Sequence, residues 1–329
     1  MLHRWLPDFA DINGRTKIES KLEHFRGHEA ADRARMNHPL VFGDGSLLYH
    51  DQSPLTKVDA CSRLQWQIEG IFHHSNEVST KGGIWIPAHF EPQTIKGVSD
   101  KFKDNGIVHV TQDGKVDYEV SLPKILIDNG LGYLIFGHVN YTEDPTHLND
   151  IQEATFDGPH WKKGDLFLSA RNISAIIQFR PSESKVIWHK QWPWVKQHDI
   201  DFLDDHRISI FDNRMYKYPG RDALDGNNEV LVYDFATDTV TSPWKDAMAK
   251  HEFRTMYEGR SEVLNDDEVF IGETNFGRAA VINTAGDAIW KYVNRGKDGA
   301  VYILNWSRVI TRALGDEIRA SVETANCPK

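Results

Sequence analysis

The chain has 329 residues, 40% hydrophobic and 11% aromatic, a globular composition with enough apolar mass for a sizeable core. A formal net charge of −10, from 48 acidic against 38 basic side chains, repels phosphate backbones and argues against general nucleic-acid binding. No apolar run approaches the roughly 18 residues of a membrane span, and the only cysteines, Cys61 and Cys327, allow at most one disulfide and exclude a thiolate metal site.

The opening Met1-Leu2-His3-Arg4-Trp5-Leu6-Pro7-Asp8 has no basic stretch followed by an apolar one, so no signal peptide is visible there. Glu/Lys/Arg-rich helical periodicity from about Thr16 to Arg35 predicts a short helical extension over residues 1–36. After Pro39 the texture changes to short β-type runs separated by turn residues, and residues 37–329 are read as one domain. A repeat of turn, strand, strand, turn and strand recurs there. Its first copy runs through Leu47-Leu48-Tyr49, Leu55–Asp59 and Leu64-Gln65-Trp66; its second through Ile84-Trp85-Ile86, Ile107–Val110 and Val116-Asp117-Tyr118. Copies three to five use Leu166–Leu168 with Ala175–Phe179, Ile208–Phe211 with Glu229–Tyr233, and Val269–Ile271 with Ala279–Ile282. Arg308–Arg312 reads as a fragment of a sixth.

Such a period is the signature of propeller blades, and the expectation is an all-β, six-bladed β-propeller whose last blade is closed by strands from both chain ends. Two residues then fall in register: His74 lies eight positions before Gly82, and His198 eight before His206, each in the lead-in to a strand pair. His147 takes the matching place in the third copy, displaced by an insertion containing Phe156–Lys163, and Arg171 follows that copy's Leu166–Ala170 strand. Innermost strands surround a propeller's channel, so His74, His147, His198 and Arg171 are the catalytic candidates. Arginine grips an oxyanion with a planar fork of donors, and imidazole can donate, move protons or attack. His73, Asn149, Trp194, Arg260 and Arg308 are the substrate-binding candidates. Trp161, Trp192, Phe276 and Trp306 could join Trp194 around an aromatic ligand, and an Asp beside His198 could fix its tautomer. Gly-rich phosphate loops, GxSxG elbows and HExxH helices are absent.

The runs Phe72-His73-His74-Ser75-Asn76-Glu77, His147-Leu148-Asn149-Asp150-Ile151, Ser169-Ala170-Arg171-Asn172 and Gln197-His198-Asp199-Ile200, with Phe211-Asp212-Asn213 beyond them, resemble the bacterial arylsulfotransferases in kind and in order. The resemblance implies a six-bladed propeller that moves a sulfuryl group from an aryl sulfate to a phenol without the nucleotide donor PAPS and without a cofactor. It implies a ping-pong route through a sulfated histidine, with His198 as nucleophile, His147 and Arg171 on the sulfuryl oxygens, and His74 binding the sulfuryl group or moving a proton. It also suggests a periplasmic or secreted setting. The alternatives are a non-catalytic propeller module for a sulfated or carboxylated ligand, and a hydrolase or lyase whose histidines hold a metal.

Overall fold

The computed structural model describes residues 3–16, 18, 20, 35–137, 140–325 and 327. They fall into two compact units, Met1–Lys124 with Ile310–Lys329, and Ile125–Val309. A six-residue helix, Phe9–Gly14, lies near the start. The body of the helix expected over Thr16–Arg35 is outside the described residues.

The first unit holds two antiparallel sheets. One runs β1 (Asn37–Val41), β2 (Leu47–His50), β3 (Leu55–Val58) and β4 (Leu64–Ile68) in chain order. The other is built on β7 (Ile84–His89), β8 (Asn105–Val110) and β9 (Val116–Ser121). Two short strands, β5 (Ile71–Phe72) and β6 (Glu77–Val78), both pair with β7. Leu40, Leu48 and Leu55 from the first sheet pack on Phe72, Ile84, Ile86, Val108 and Val110 from the second.

The second unit holds three more sheets. They are β10–β13 (Leu148–Glu153, Leu166–Ala170, Ala175–Arg180, Lys185–Gln191), a sheet of β14, β15, β18 and β19 (Asp199–Phe202, Arg207–Asp212, Glu229–Asp234, Thr239–Thr241), and β20–β23 (Arg260–Val263, Glu268–Glu273, Arg278–Asn283, Ala288–Val293). A hairpin, β16 (Met215–Tyr218) and β17 (Arg221–Leu224), is inserted into the middle one. Middle strands such as Leu166–Ala170 are buried throughout, which explains their unbroken apolar runs, while outer β23 is exposed along most of its length. Trp161, Phe167, Ile176, Trp194, Ile200, Ile208 and Tyr233 fill the space between the first two sheets. Phe211, Val232, Trp244, Phe253, Val269 and Ile271 belong to the cluster joining the second and third.

The all-β class and the recurring antiparallel blades are as the sequence predicts, but the described residues form five blades, not six, four of them four-stranded and one five-stranded. Leu304–Ile310 takes no regular structure, and Arg312–Thr324 is a helix capped by the Thr311 side chain, which accepts from the Leu314 N–H. Leu314, Ile318 and Val322 recur every four residues, a helical spacing that the strand-like Val309-Ile310-Thr311 before it obscures. In place of a sixth blade this helix packs in the first unit. Ser321 Oγ donates to the Gly43 carbonyl at 2.7 Å, and Cys327 is bonded to Cys61 across a Cα–Cα distance of 5.1 Å.

The Cys61–Cys327 bridge has a sequence separation of 266 and encloses every residue of the second unit in its loop. Cross-links over long loops restrict the unfolded chain most, with typical gains of about 2–4 kcal/mol. Reduction, or Cys61→Ser with Cys327→Ser, is expected to lower the melting temperature by about 3–6 °C for a chain of this size; an unchanged melting curve would show that the bridge does not clamp the chain.

Candidate active site

In the second unit, two histidines stand at the thresholds of innermost strands. His147 immediately precedes β10, and its backbone takes the left-handed φ of 51°. Its Nδ1 donates to Asp144 Oδ2 at 2.5 Å, fixing the ring, and its carbonyl accepts the Arg171 N–H at 3.1 Å. His198 immediately precedes β14, two residues after Lys196, whose φ is 59°. Glu258, two residues before β20, has a φ of 61°. The left-handed turn therefore recurs at the entry to each inner strand of this unit. Strained positions of this kind cost roughly 1 kcal/mol or more and persist only where the surroundings enforce them.

The inner strands are latched to one another by buried carboxylates. Asp150 accepts the Ile200 N–H at 3.1 Å and Asp199 accepts the Ser261 N–H at 2.9 Å. Asp199 is thus held toward the next blade, and Arg260 Nη2 lies 3.8 Å from its other oxygen. Asp212 accepts from the Val195 and Arg214 N–H groups, and burial pushes its carboxyl up to about 7. The expected tautomer-fixing Asp is in fact Asn213. His198 Nδ1 donates to Asn213 Oδ1 at 2.5 Å.

The orientation of the Asn213 amide is settled by its own nitrogen, which donates to the carbonyls of Thr255 at 3.2 Å and Glu258 at 2.8 Å. The oxygen must then face His198, so the imidazole carries its proton on Nδ1 and its lone pair on Nε2. The Glu258 N–H donates to that lone pair at 3.1 Å. Burial first, then the charge of Arg171, holds the His198 pKa well below the ordinary histidine range. The ring is a neutral base at neutral pH. Gly259 lets the backbone pass here: its φ is 93°, and a Cβ would meet Thr255 Cγ2 at 2.6 Å and Phe211 Cε1 at 2.7 Å.

Arg171 opens the single turn Arg171–Ile173 after β11 and is 7% exposed. Nη1 donates to Asn172 Oδ1 at 3.1 Å, whereas Nε and Nη2 are buried with no hydrogen-bond partner among the described residues. Its guanidinium lies 5.7 Å from the centre of the Tyr257 ring, whose hydroxyl donates to Asp222. A buried arginine with idle donors is costly, since each unsatisfied group forfeits about 1–3 kcal/mol and charged ones more. Lys196 adds a second cation: Nζ donates to the Asn172 carbonyl at 3.0 Å and to Asn172 Oδ1 at 3.2 Å, and burial and the charge of Arg171 push it down to about 8. Two cations and two imidazoles, with Asp144 and Asp222 already engaged, form a cluster suited to an anion.

Of the substrate-binding candidates, Asn149 donates to the carbonyl of Gln197, the residue before His198, at 3.0 Å and so supports the loop. Trp194, expected at a ligand, is 0% exposed within the core between two blades. Trp161 is likewise core, while Trp192 and Phe276 are exposed. Arg260 pairs with Asp199, and Arg308 lies within electrostatic reach of Glu262. Lys196, Asn213, Asp144 and Tyr257 were not expected. Asn213 ends a quoted motif, but nothing in spacing singles out a lysine or an asparagine.

His74 and His73 belong to the first unit. Their Nδ1 atoms are 2.9 Å apart, so one donates to the other, and His73 lies 4.2 Å from the His89 ring. His50 Nε2 donates to the His74 carbonyl at 3.1 Å.

Residues 40–295 match the family described as Arylsulfotransferase (ASST). The chain belongs to the arylsulfotransferase family. Membership supports a sulfotransferase-type function and fits small-molecule substrates. No curated protein matches the chain significantly. Among solved structures, a protein of unknown function from Bacteroides caccae is similar in fold, with 9% identity and a TM-score of 0.54, covering 81% of this chain and 84% of that one. Virginiamycin B lyase from Staphylococcus aureus is 14% identical with a TM-score of 0.45, covering 78% and 69%. The Neurospora crassa Pan2 WD40 domain is 9% identical with a TM-score of 0.44, covering 75% and 61%.

Burial pushes His50 down to about 4 from an ordinary 6.5. The unfolded chain therefore binds a proton between those values that the folded chain refuses, and stability present above pH 6.5 is lost as pH falls toward 4. The loss is about 3 kcal/mol, and in denaturant titrations His50→Gln is expected to remove it from the acid limb. Parallel pH dependences in the two proteins would contradict the assignment.

Proposed function

We propose that the second unit catalyses sulfuryl transfer from an aryl sulfate to a phenol by a ping-pong route through a sulfated His198. The observation that carries this reading is a neutral imidazole, its tautomer fixed by Asn213, beside a buried guanidinium with two idle donors. In the first half-reaction the Nε2 lone pair attacks sulfur, an N–S bond forms, the S–O(aryl) bond breaks and the electron pair leaves with the phenolate. A phenolate needs little proton help, whereas the planar SO3 in flight needs cations and donors on its oxygens. Arg171 supplies these, and His147, whose Nδ1–H is spent on Asp144, joins it when its Nε2 also carries a proton. The Glu258 N–H, displaced from Nε2 by the incoming sulfur, becomes a further donor.

Asn213 suits the second half-reaction. A neutral amide accepts the Nδ1–H but cannot take the proton, so the sulfated ring keeps its positive charge and remains a good leaving group. The acceptor phenol passes its proton to water, balancing the one the departed phenolate takes up, as its oxygen attacks sulfur, the N–S bond breaks, and the electron pair returns to Nε2. No cofactor enters the balance.

The test is intact-mass and peptide mass spectrometry after brief exposure to 4-nitrophenyl sulfate. The expected result is one added SO3 on His198, discharged by phenol and lost in His198→Ala. Sulfate binding with no nitrophenol release would instead favour the non-catalytic module, and turnover that persists in His198→Ala would overturn the nucleophile.

A further inference from the structure

Beside this cluster the second unit has a cavity of about 470 Å3, within the range of small-molecule sites. Leu134, Ile135 and Ile173 give it apolar walls, and Asn172, Lys196 and Lys217 give it polar ones. Asn172 is the joint between the two places, because one side-chain oxygen accepts from both Arg171 and Lys196.

The charges of the cavity are unequal. Asp144 also lines it, but its Oδ2 is taken by His147, and nearby Asp222 accepts from the Tyr257 hydroxyl. Lys196 and Lys217 repel each other, and Arg171 repels Lys196 as well. An ammonium has three donors, and both acceptors of Lys196 belong to one neutral asparagine. Asp144 and Asp222 offset only part of the charge of Arg171, Lys196 and Lys217, and a ligand that brings a further anion relieves the rest.

We propose that this cavity is the aryl subsite and that Lys196 and Lys217 select substrates whose ring carries a carboxylate, the hydroxybenzoate class and its sulfate esters. The inference rests on the sulfuryl-transfer reading for the identity of the ring. It covers donor and acceptor alike: displacement at sulfur occurs twice on the same histidine, so the entering oxygen takes the place the leaving oxygen vacated. The ring lies against Leu134, Ile135 and Ile173, its sulfated or hydroxyl oxygen toward Arg171 and His198, and its carboxylate toward the lysines.

Calorimetric titration of the full chain with 4-hydroxybenzoate and with neutral 4-hydroxybenzamide separates charge recognition from ring recognition and needs no turnover. The wild-type chain is expected to prefer the carboxylate at least tenfold. Lys217→Met, at an exposed position, is expected to cut that preference to threefold or less with amide affinity unchanged, and Lys196→Met to erase it. Equal affinities in the wild type, or an intact preference in both variants, would overturn the proposal. A carboxylate preference without sulfation of His198 by 4-nitrophenyl sulfate would uphold the subsite and sink the catalytic reading. Sulfation without any preference would do the reverse.

Discussion

One amide sets the chemistry of the second unit. Asn213 spends its nitrogen on two backbone carbonyls and so has only its oxygen to offer His198. The imidazole then has one tautomer, with its lone pair on Nε2. An aspartate there would add a charge that stabilises the protonated ring, whereas the neutral amide leaves burial and Arg171 free to keep the ring unprotonated. The orientation and tautomer of the ring follow from a single hydrogen bond between two buried side chains, and its neutral charge from burial and Arg171.

The blades position the two partners of that bond. His147 and His198 are brought to strand thresholds by left-handed residues, and the strands are tied in series by Asp150 and Asp199 accepting N–H groups from the next blade. These carboxylates sit beside the histidines in sequence, yet they serve the frame. The idle donors of Arg171 are tolerated because Phe167, Ile176 and Trp194 on one side and Phe211, Val232 and Val269 on the other supply apolar burial. In the proposed reaction a bound sulfuryl group would satisfy those donors, so that the site's least stable feature would serve as its means of recognition.

Much of this was legible in the sequence. Middle strands are apolar on both faces, so Leu166–Leu168 and Ile208–Phe211 announced themselves, and the order of the His, Arg and His motifs led to the family. The blade count failed at one place, where the β-branched Val309-Ile310-Thr311 resembles a strand although the residues after it are helical. Trp194 failed because an aromatic at a blade edge looks the same in sequence whether it lines a cavity or fills a core. Asn213 and Lys196 were hidden for a different reason. Their importance comes from contacts with residues 15 and 24 positions away that no periodicity encodes.

The central claim is most directly tested by nitrogen-15 NMR of the His198 ring in the unliganded protein. The structure predicts a neutral imidazole with its proton on Nδ1 and no titration near the ordinary histidine pKa of about 6.5. A ring protonated on Nε2, or one that titrates like a solvent-exposed histidine, would contradict the account.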